Sequence, residues 1–196
     1  MDENDEVQKD IRLGLVGLFQ AENAALAISA SQLFIDKFDR AKARDWLLQS
    51  WFVWRCDVRT IWWKTVILDG AHNPQKMQAL VDTLQIMYPN KTIVRYTAFK
   101  QWKDRQEMLN IMSGLSQKFV LWSFAGAPDM SFHNVDIEQV KNYLTTASLE
   151  ERLDPQDFFR AIGKYVWPAC PVGREDEVVV ITGSLYWLSR VYSMLI

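Results

Sequence analysis

The spacing of apolar and polar residues along the chain predicts two helices before residue 50. The segment 20–34 is rich in alanine and repeats its apolar residues at helical intervals, which favours a first helix. The segment 40–49 is charged on one side and carries Trp46 and Leu47 on the other, which predicts a second helix. The helical pattern ends near residue 50, so we expect a domain boundary there.

After residue 50, strand patterns alternate with helical patterns. Short runs of β-branched, aromatic and apolar residues predict strands, and apolar residues that recur every three or four positions predict helices. Strands that alternate with helices are typical of a mostly parallel sheet covered on both faces, so the predicted fold class is α/β. The predicted strands are 51–63, 65–69, 91–99, 118–124 and 177–183, and the predicted helices are 75–87, 104–116, 135–145, 155–166 and 184 onward.

Composition limits the class of protein and the kinds of site. A formal net charge of -2 gives no basic surplus for nucleic acid or an anionic membrane, so we expect neither partner. No apolar run approaches the roughly 20 residues that span a bilayer. Two cysteines and two histidines are too few for a disulfide framework or a metal cluster, so no metal ligands are expected. The acidic start is unlike a secretory signal, and we expect a reducing, cytoplasmic setting.

One predicted strand ends in the sequence ILDGAHNP, which places chemically active side chains in a turn. Asp69 is expected to end the strand, and Gly70 to allow an unusual backbone angle. Asn73 is expected to cap the following helix, whose first turn contains Pro74. An ordinary strand-to-helix turn explains these residues, but such a turn does not require His72. Because ligands bind beyond the carboxyl ends of parallel strands, the imidazole favours a functional site here.

Two further turns have features of interest. In VVVITGSLY, Gly183 and Ser184 join a buried strand to the last helix, and an ordinary cap at Ser184 is the structural alternative to a site. Asp104 is expected to cap the helix 104–116, with Glu107 completing a capping box. No GxxxxGK[ST] phosphate loop occurs in the sequence, so neither turn is a P-loop.

The turn LDGAHNP at 68–74 resembles one in the folylpolyglutamate synthase and dihydrofolate synthase family, within the Mur ligase superfamily. Four other stretches resemble motifs of this family and occur in the family's order, so that the resemblance covers about residues 11–196. These stretches are GLFQAENAALAI at 17–28, SWFVWR at 50–55, QWKDRQEML at 101–109 and VVVITGSLYWL at 178–188. They are similar to the Gln-x-x-Asn-Ala-Ala-Leu-Ala, Trp-Pro-Gly-Arg, Asp-Lys-Asp and Val-Thr-Gly-Ser-Leu-Tyr-Leu segments of the family.

The resemblance implies a fold and an activity. It implies a Rossmann-like, mostly parallel sheet with helices on both faces for residues 50–196, which is the glutamate-binding C-terminal domain of Mur ligases. Residues 1–49 would then be a remnant of the central ATPase domain. The family uses ATP and Mg²⁺ to ligate L-glutamate to a folate or pteroate carboxylate through an acyl phosphate. A monomeric ligase of folate biosynthesis and one-carbon metabolism is therefore implied.

The same resemblance implies which residues bind the nucleotide. Gln20 and Asn23 would lie near the adenine, and Arg55 would reach the ATP phosphates, where a guanidinium suits paired oxygens. Asp69 would hold the ribose or help to order the site. Simple structural roles are the alternatives, with Asn23 as a helix cap and Arg55 as a charge at a strand edge.

The resemblance also implies which residues bind glutamate. His72 would position glutamate, and together with Asp69 it is a candidate catalytic residue. Lys103 and Ser184 are candidates for the glutamate carboxylates, with a solvated side chain as the alternative for Lys103.

The sequence departs from the family in three ways. Phe19 stands where the family has His or Tyr before Gln20. Val53 and Trp54 stand where the family has Pro-Gly before Arg55, so that turn is expected to differ. The family's Gly-Thr-Asn-Gly-Lys-Gly-Ser phosphate loop, its magnesium ligands and most of its folate contacts have no counterpart in this chain. We therefore expect the N-terminal ATPase half of the same enzyme as a partner, and an inactive isolated chain. The alternative is a truncated, non-catalytic binding or interaction module derived from the ligase.

Overall fold

The structure is a computed structural model that describes residues 11–61, 64–98, 104–122, 148–152 and 177–195. The chain divides into two compact units, Met1–Phe52 and Val53–Ile196. The helices expected at 135–145 and 155–166 lie outside the described residues, as does Lys103.

The first unit contains two helices, α1 at Phe19–Phe34 and α2 at Arg40–Gln49, where the helical spacing predicts them. Asp39 is the N-cap of α2. Its Oδ1 accepts hydrogen bonds from the N–H groups of Ala41 and Lys42 at 3.0 and 3.1 Å. A groove of about 410 Å³ lies between the two helices.

Much of the apolar surface of the first unit is uncovered. Gln20 and Ala24 are the buried residues of α1, whereas Leu33 and Phe34 are 82% and 85% exposed. Of the fourteen large hydrophobic side chains that are exposed within the described ranges, nine belong to this unit. Because helices with apolar residues on several sides are usually buried in a larger core, this surface is one that a partner could cover.

The second unit is built on a mixed sheet. Its described strands are β1 (Asp57–Ile61), β2 (Lys64–Leu68), β3 (Thr92–Thr97), β4 (Ser116–Trp122), β5 (Ser148–Arg152) and β6 (Glu177–Thr182). They lie in the order β1-β2-β6-β3-β4-β5, with β1 antiparallel to β2 and every other neighbouring pair parallel. The α/β prediction of a mostly parallel sheet is therefore confirmed.

Helices cover both faces of this sheet, as predicted. The described helices are α3 (Pro74–Met87), α4 (Arg105–Ser113) and α5 (Leu185–Leu195). α3 and α4 follow β2 and β3 as the crossovers that parallel strands require, and they pack against each other. In α5, Trp187 and Leu188 join the core formed by alternate residues of the central strands. The Rossmann-like arrangement is thus complete around the central strands.

Two local predictions are wrong here, and one strand is not predicted by the sequence. The expected strand 51–63 begins only at Asp57, because residues 53–56 form a turn. The sequence of strand β5, SLEER, has only one large apolar residue and does not predict a strand; pairing with β4 defines it. Asp104 precedes α4, but its side chain makes no capping hydrogen bond, so the predicted capping box does not form.

Candidate active site

The candidate site lies at the carboxyl edge of the sheet. There β2 leads into Asp69 and β6 leads into Gly183, and the turn 53–56 enters antiparallel β1 from the same edge. The Asp69 N–H donates to the Ile181 carbonyl at 3.0 Å, and the Gly183 N–H donates to the Ala71 carbonyl at 3.1 Å. The turn after β2 and the turn after β6, both predicted from the sequence, are therefore joined by hydrogen bonds.

Asp69 is only 7% exposed, and both of its carboxylate oxygens accept backbone hydrogen bonds. Oδ2 accepts from the N–H of Cys56 and Oδ1 from the N–H of Ala71, each at 2.8 Å. Burial raises the pKa of Asp69 to about 6, against the lowering effects of these bonds and of the charges on Arg55 and Lys76. The carboxylate is thus a buried acid held between two turns.

The turn that carries Arg55 has an uncommon backbone. Trp54 and Cys56 have φ angles of 64° and 46°, in the left-handed region that residues other than glycine rarely adopt. Arg55 lies between them and is exposed. The Gly70 N–H donates to the Trp54 carbonyl at 2.8 Å, which ties this turn to the one that contains Asp69. Trp54 therefore keeps a backbone angle that the glycine expected from the resemblance would adopt easily.

Cys56 is not a nucleophile in this site. Its side chain is buried, and burial together with the negative charges of Asp69 and Asp57 raises the pKa of the thiol to about 12. Because the thiolate is the reactive form, the thiol is inert at neutral pH, and its contribution to the site is its backbone N–H.

His72 is exposed just before α3, and contacts within its own turn orient its ring. Its Nδ1 lies 2.6 Å from the Gly70 carbonyl oxygen, which can only accept, so Nδ1 carries the proton. In the neutral ring Nε2 is then an acceptor, and it lies 3.4 Å from the Lys76 Nζ. Asn73 Oδ1 accepts from the Lys76 N–H at 2.8 Å, which confirms the predicted cap of α3.

Two glycines allow the turns to pack closely. A Cβ on Gly183, whose φ is 104°, would lie 2.5 Å from Thr97 Oγ1 and 2.6 Å from the Ala98 carbonyl oxygen. Gly70 does not adopt a left-handed angle, so the prediction of an unusual backbone there is wrong. A Cβ there would lie 2.6 Å from Leu185 Cδ2, the end of an exposed side chain that can rotate away, so packing is less strict at Gly70 than at Gly183.

Ser184 follows Gly183 at the same edge of the sheet and is buried. Its carbonyl accepts the Leu188 N–H at 2.9 Å where α5 begins. The structure therefore brings Arg55, Asp69, His72 and Ser184 to one edge, and Lys103 lies outside the described residues.

Gln20 and Asn23 form a pair of amides at the start of α1, in the first unit. Asn23 Nδ2 donates to Gln20 Oε1 at 3.1 Å, so Asn23 does not cap the helix, whose N-cap position is Leu18. Gln20 is 3% exposed, and among the described residues its Nε2 has no hydrogen-bond partner. A buried donor without a partner is energetically costly.

Sequence reasoning missed two parts of the site. Lys76 is four residues after His72, and this helical spacing is a signal that could have identified it. The Cys56 N–H is 13 residues before Asp69, and no local pattern indicates that these two groups meet.

Two negative observations apply to the described ranges alone. Within them, no three or more His, Cys, Asp and Glu side chains are arranged to hold a metal ion. None of the helices described is both long and apolar enough to cross a membrane.

The chain matches one protein family over most of its length. The dihydrofolate synthetase C-terminal domain matches residues 60–194. A dihydrofolate synthase/folylpolyglutamate synthase of Bacillus subtilis (strain 168) is 30% identical over 190 residues. The matched region is 93% of this chain but 40% of the relative, so the chain spans well under half of the relative's length.

Solved structures share the fold. A Mycobacterium tuberculosis folylpolyglutamate synthase complexed with ADP has a TM-score of 0.77 and 24% identity, covering 95% of this chain and 42% of that protein. A bifunctional folylpolyglutamate synthase/dihydrofolate synthase with Mn, AMPPNP and L-glutamate bound has a TM-score of 0.73 and 19% identity, covering 98% and 43%. At this level of identity the likeness concerns the fold.

Proposed function

Because the chain belongs to the folylpolyglutamate and dihydrofolate synthase family, through that family's C-terminal domain, we propose that it is the C-terminal part of an ATP-dependent ligase. The ligase joins L-glutamate to a folate or pteroate carboxylate. The carboxylate takes the γ-phosphoryl group of ATP to form an acyl phosphate, and the glutamate amine then displaces phosphate from the acyl carbon. We assign the enzyme to the cytoplasm, as a monomer acting in folate biosynthesis and one-carbon metabolism.

The observation that carries this proposal is the convergence of Arg55, Asp69 and His72 at one edge of the sheet. The Asp69 carboxylate joins the turn of Arg55 to the turn of His72 by hydrogen bonds of 2.8 Å on each side. An amide ligase needs cations near the transferred phosphoryl group and a fixed meeting of amine and acyl carbon. An exposed arginine and an oriented imidazole on neighbouring turns support both requirements.

In this proposal the base and the phosphates of the nucleotide are bound by different residues. The amides of Gln20 and Asn23 are assigned to the adenine, since amide donors and acceptors match the ring nitrogens and amino group of a purine. Arg55 neutralises the phosphates, since a guanidinium presents paired N–H donors to paired oxygens. When bound, ATP supplies the phosphoryl group that activates the folate carboxylate.

Glutamate binds, in the same proposal, beside the start of α3 and the start of α5. His72 positions the amino acid through its exposed ring, and Ser184 and Lys103 are assigned to its carboxylates. Lys76 lies next to His72 and adds a cation to that of Lys103, and two cations suit a dicarboxylate ligand. Nδ1 of His72 is engaged by the Gly70 carbonyl of its own turn, so Nε2, which lies beside Lys76, is the nitrogen assigned to the ligand.

We further propose that the first unit belongs to an ATPase domain whose remaining part forms the phosphate and magnesium sites. The uncovered apolar surface of α1 supports this assignment, because such a surface is stabilised by a partner core. The magnesium ligands are assigned to that remaining part of the domain.

The test is to assay the 196-residue chain alone and mixed with the amino-terminal part of the Bacillus subtilis synthase. The chain alone is expected to show no ATP-dependent ligation of glutamate, because the sequence has no phosphate loop. The mixture is expected to release phosphate and to form glutamylated product. Ligation by the pure chain alone would contradict the proposed division of the site. A binding or interaction module is the conclusion if the mixture associates without turnover.

A substitution in the active mixture then tests the glutamate site. His72→Ala is expected to raise the KM for glutamate roughly tenfold to a hundredfold, the range for losing a hydrogen bond to a charged ligand. The KM for ATP is expected to change little. Gln78→Ala is the matched control, since Gln78 lies on α3, the helix that follows His72, and its side chain bonds to Asp82 instead. Unchanged glutamate kinetics in His72→Ala would remove His72 from the site.

A further inference from the structure

We propose that Lys76 and His72 together recognise the α-amino-acid end of glutamate, with Lys76 binding the α-carboxylate and His72 Nε2 accepting a hydrogen bond from the amino group. This inference rests on the proposed function and deepens it. The family resemblance assigns His72 to glutamate without naming the group that it contacts, and it assigns no role to Lys76. The contacts of the two side chains indicate both roles.

The two side chains present a hydrogen-bond acceptor and a cationic donor next to each other. The Gly70 carbonyl oxygen lies 2.6 Å from His72 Nδ1 and fixes the proton on that nitrogen, so Nε2 is an acceptor in the neutral ring. The Lys76 ammonium lies 3.4 Å from Nε2 and carries N–H donors only. Both side chains are exposed, so a ligand can reach them.

An α-amino acid has the complementary pair of groups at a similar spacing. Its ammonium nitrogen and its nearer carboxylate oxygen are separated by three bonds and lie within about 3 Å of each other. The ammonium can donate to His72 Nε2 while the carboxylate accepts from the Lys76 ammonium, each at an ordinary distance of about 2.8 Å. Binding replaces the 3.4 Å contact between Lys76 and His72, which is long for a hydrogen bond, by two stronger ones.

The turn before α3 fixes the His72 ring and the backbone of Lys76 in the absence of a ligand. Asn73 Oδ1 accepts the Lys76 N–H at 2.8 Å, and the Asn73 carbonyl accepts the Met77 N–H at 2.9 Å, so the first turn of α3 is held at its start. Gly70 holds the ring of His72 from within the same turn. Because these groups are already ordered, a bound amino acid loses little affinity to ordering of the protein.

The Lys76 ammonium has no anionic partner among the residues that the structure describes. Asp82, the acid of α3, accepts a hydrogen bond from Gln78 instead, at 2.7 Å. The charge on Lys76 acts on the buried carboxylate of Asp69, so the ammonium lies within electrostatic range of the candidate site. This cation can therefore bind an anionic ligand there without breaking an ion pair of the described residues.

The position of Lys76 in α3 is unfavourable for the stability of the helix. Lys76 is the third residue of α3, whose first turn contains no acidic residue. The helix dipole places partial positive charge at this end, so a cation is disfavoured and a carboxylate is favoured. An acidic side chain at this position would also suit a capping box. Helix stability therefore does not explain the lysine, whereas a bound carboxylate is attracted by both the ammonium and the helix end.

Two analogues of glutamate that each lack one carboxylate test the assignment in the reconstituted mixture. 2-Aminobutyrate keeps the α-carboxylate and 4-aminobutyrate keeps the side-chain carboxylate, and both are assayed as inhibitors of glutamate ligation. Lys76→Met is expected to raise the KM for glutamate and the inhibition constant of 2-aminobutyrate about tenfold each, the effect of losing one charged hydrogen bond. The inhibition constant of 4-aminobutyrate should change less than about twofold, because this analogue has no group for Lys76 to bind.

Lys91→Met is the matched control for these inhibition constants. Lys91 is an exposed lysine beyond the opposite end of α3, and its substitution should leave the constants of all three compounds unchanged. Equal weakening of both analogues in Lys76→Met would overturn the proposal, since a general loss of charge or structure affects both carboxylates alike.

Lys76→Glu separates recognition of the ligand from stability of the helix. The folding equilibrium constant of the chain is expected to increase about twofold to fivefold in urea unfolding, because the start of a helix favours an acid. The KM for glutamate in the mixture is expected to increase at least as much as in Lys76→Met, because the new carboxylate repels the α-carboxylate. A Lys76→Glu variant that uses glutamate normally would refute the assignment.

Nitrogen-15 NMR of the histidine rings in the full 196-residue chain gives a test that does not require turnover. The spectrum of His72→Ala identifies the His72 signals. Millimolar glutamate or 2-aminobutyrate is expected to shift the Nε2 signal saturably, and Lys76→Met to raise the concentration required about tenfold. If the mixture has no turnover, the proposed function fails its own test, and if neither analogue inhibits, the kinetic comparison gives no answer. In both cases the NMR titration decides, and an Nε2 signal that does not respond to glutamate overturns the proposal.

Discussion

The burial of Asp69 makes folding of the protein dependent on pH. The pKa of Asp69 is raised by burial from an ordinary 3.8 to about 6 in the folded protein. Between these values the folded chain binds the proton more strongly than the unfolded chain, so stability increases as the pH falls. This stabilisation is complete at pH values below the pKa of Asp69 in the unfolded chain. It is lost as the pH rises through the pKa of Asp69 in the folded protein. A shift of about two pKa units corresponds to roughly 3 kcal/mol.

Asp69→Asn removes this titration and leaves the other titrating groups in place. The free energy of unfolding of the unsubstituted protein, relative to that of Asp69→Asn, is therefore expected to increase by roughly 2–3 kcal/mol as the pH is lowered from 8 to 4. Urea unfolding of both proteins across this range measures the difference. A difference that stays constant with pH would contradict the raised pKa.

Gly183→Ala tests the close packing between the turn after β6 and the end of β3. The added Cβ would lie 2.5 Å from Thr97 Oγ1 and 2.6 Å from the Ala98 carbonyl, at a φ of 104°. Strain and overpacking together are expected to cost roughly 2–6 kcal/mol of unfolding free energy. Gly114→Ala is the control, because its Cβ would have no neighbour closer than 4.0 Å. Equal stabilities of the two variants would refute the packing argument.

At the scale of an element, the turn 53–56 combines backbone strain with aromatic packing. The Trp54 and Tyr192 rings meet edge to face with centroids 6.0 Å apart. Tyr192 in turn contacts Arg59, which forms an ion pair with Asp57 at the start of β1. The side chain of Trp54 thus anchors the turn to α5, while its backbone angle strains the turn.

Comparing two truncations of Trp54 separates these effects. Trp54→Gly and Trp54→Ala both lose the ring contact and are expected to lose roughly 3 kcal/mol of unfolding free energy. Glycine accepts the φ of 64° and alanine does not, so Trp54→Gly should be more stable than Trp54→Ala by about 1 kcal/mol. Chemical denaturation measures both variants. A glycine variant that is no more stable than the alanine variant would show that the turn leaves the left-handed angle once the ring is removed.

Elements with a regular local pattern could be predicted from the sequence, and those defined by tertiary contacts could not. Apolar spacing predicted 40–49 and 75–87 as helices, and α2 and α3 lie there almost to the residue. Strand propensity failed at 53–56, because bonds from Asp69 and Gly70 impose a turn on residues that favour strands. β5 was missed because its charged sequence becomes a strand only by pairing with β4.

The same distinction holds for the candidate site. Asp69 and His72 could be proposed from one short motif, because residues in one turn are adjacent in the fold. The pairing of Asp69 with the Cys56 N–H could not be predicted, since a backbone donor 13 residues away has no residue-type signature. The shape of the Arg55 turn was equally hidden, because Trp54 replaces the glycine that would have indicated a left-handed angle.

At the scale of the whole molecule, the two units differ in how well they bury their apolar residues. The second unit has a core in which Phe119 and Trp187 are almost completely buried. The first unit leaves Leu33, Phe34 and Trp46 exposed on two short helices. Because apolar patches that are not covered are usually interfaces, the first unit is the part expected to contact the amino-terminal part of the proposed ligase.

Leu33→Ser combined with Phe34→Ser tests this assignment. Both side chains are more than 80% exposed, so the unfolding free energy of the chain should change by less than about 1 kcal/mol. Affinity for the amino-terminal part of the Bacillus subtilis synthase should fall by roughly tenfold or more, because apolar anchors dominate interface energies. Ile86→Ser is the control, since Ile86 is 62% exposed but lies on α3 in the second unit. Calorimetric titration measures each affinity. An equal loss of affinity in both variants would show that α1 is not the interface.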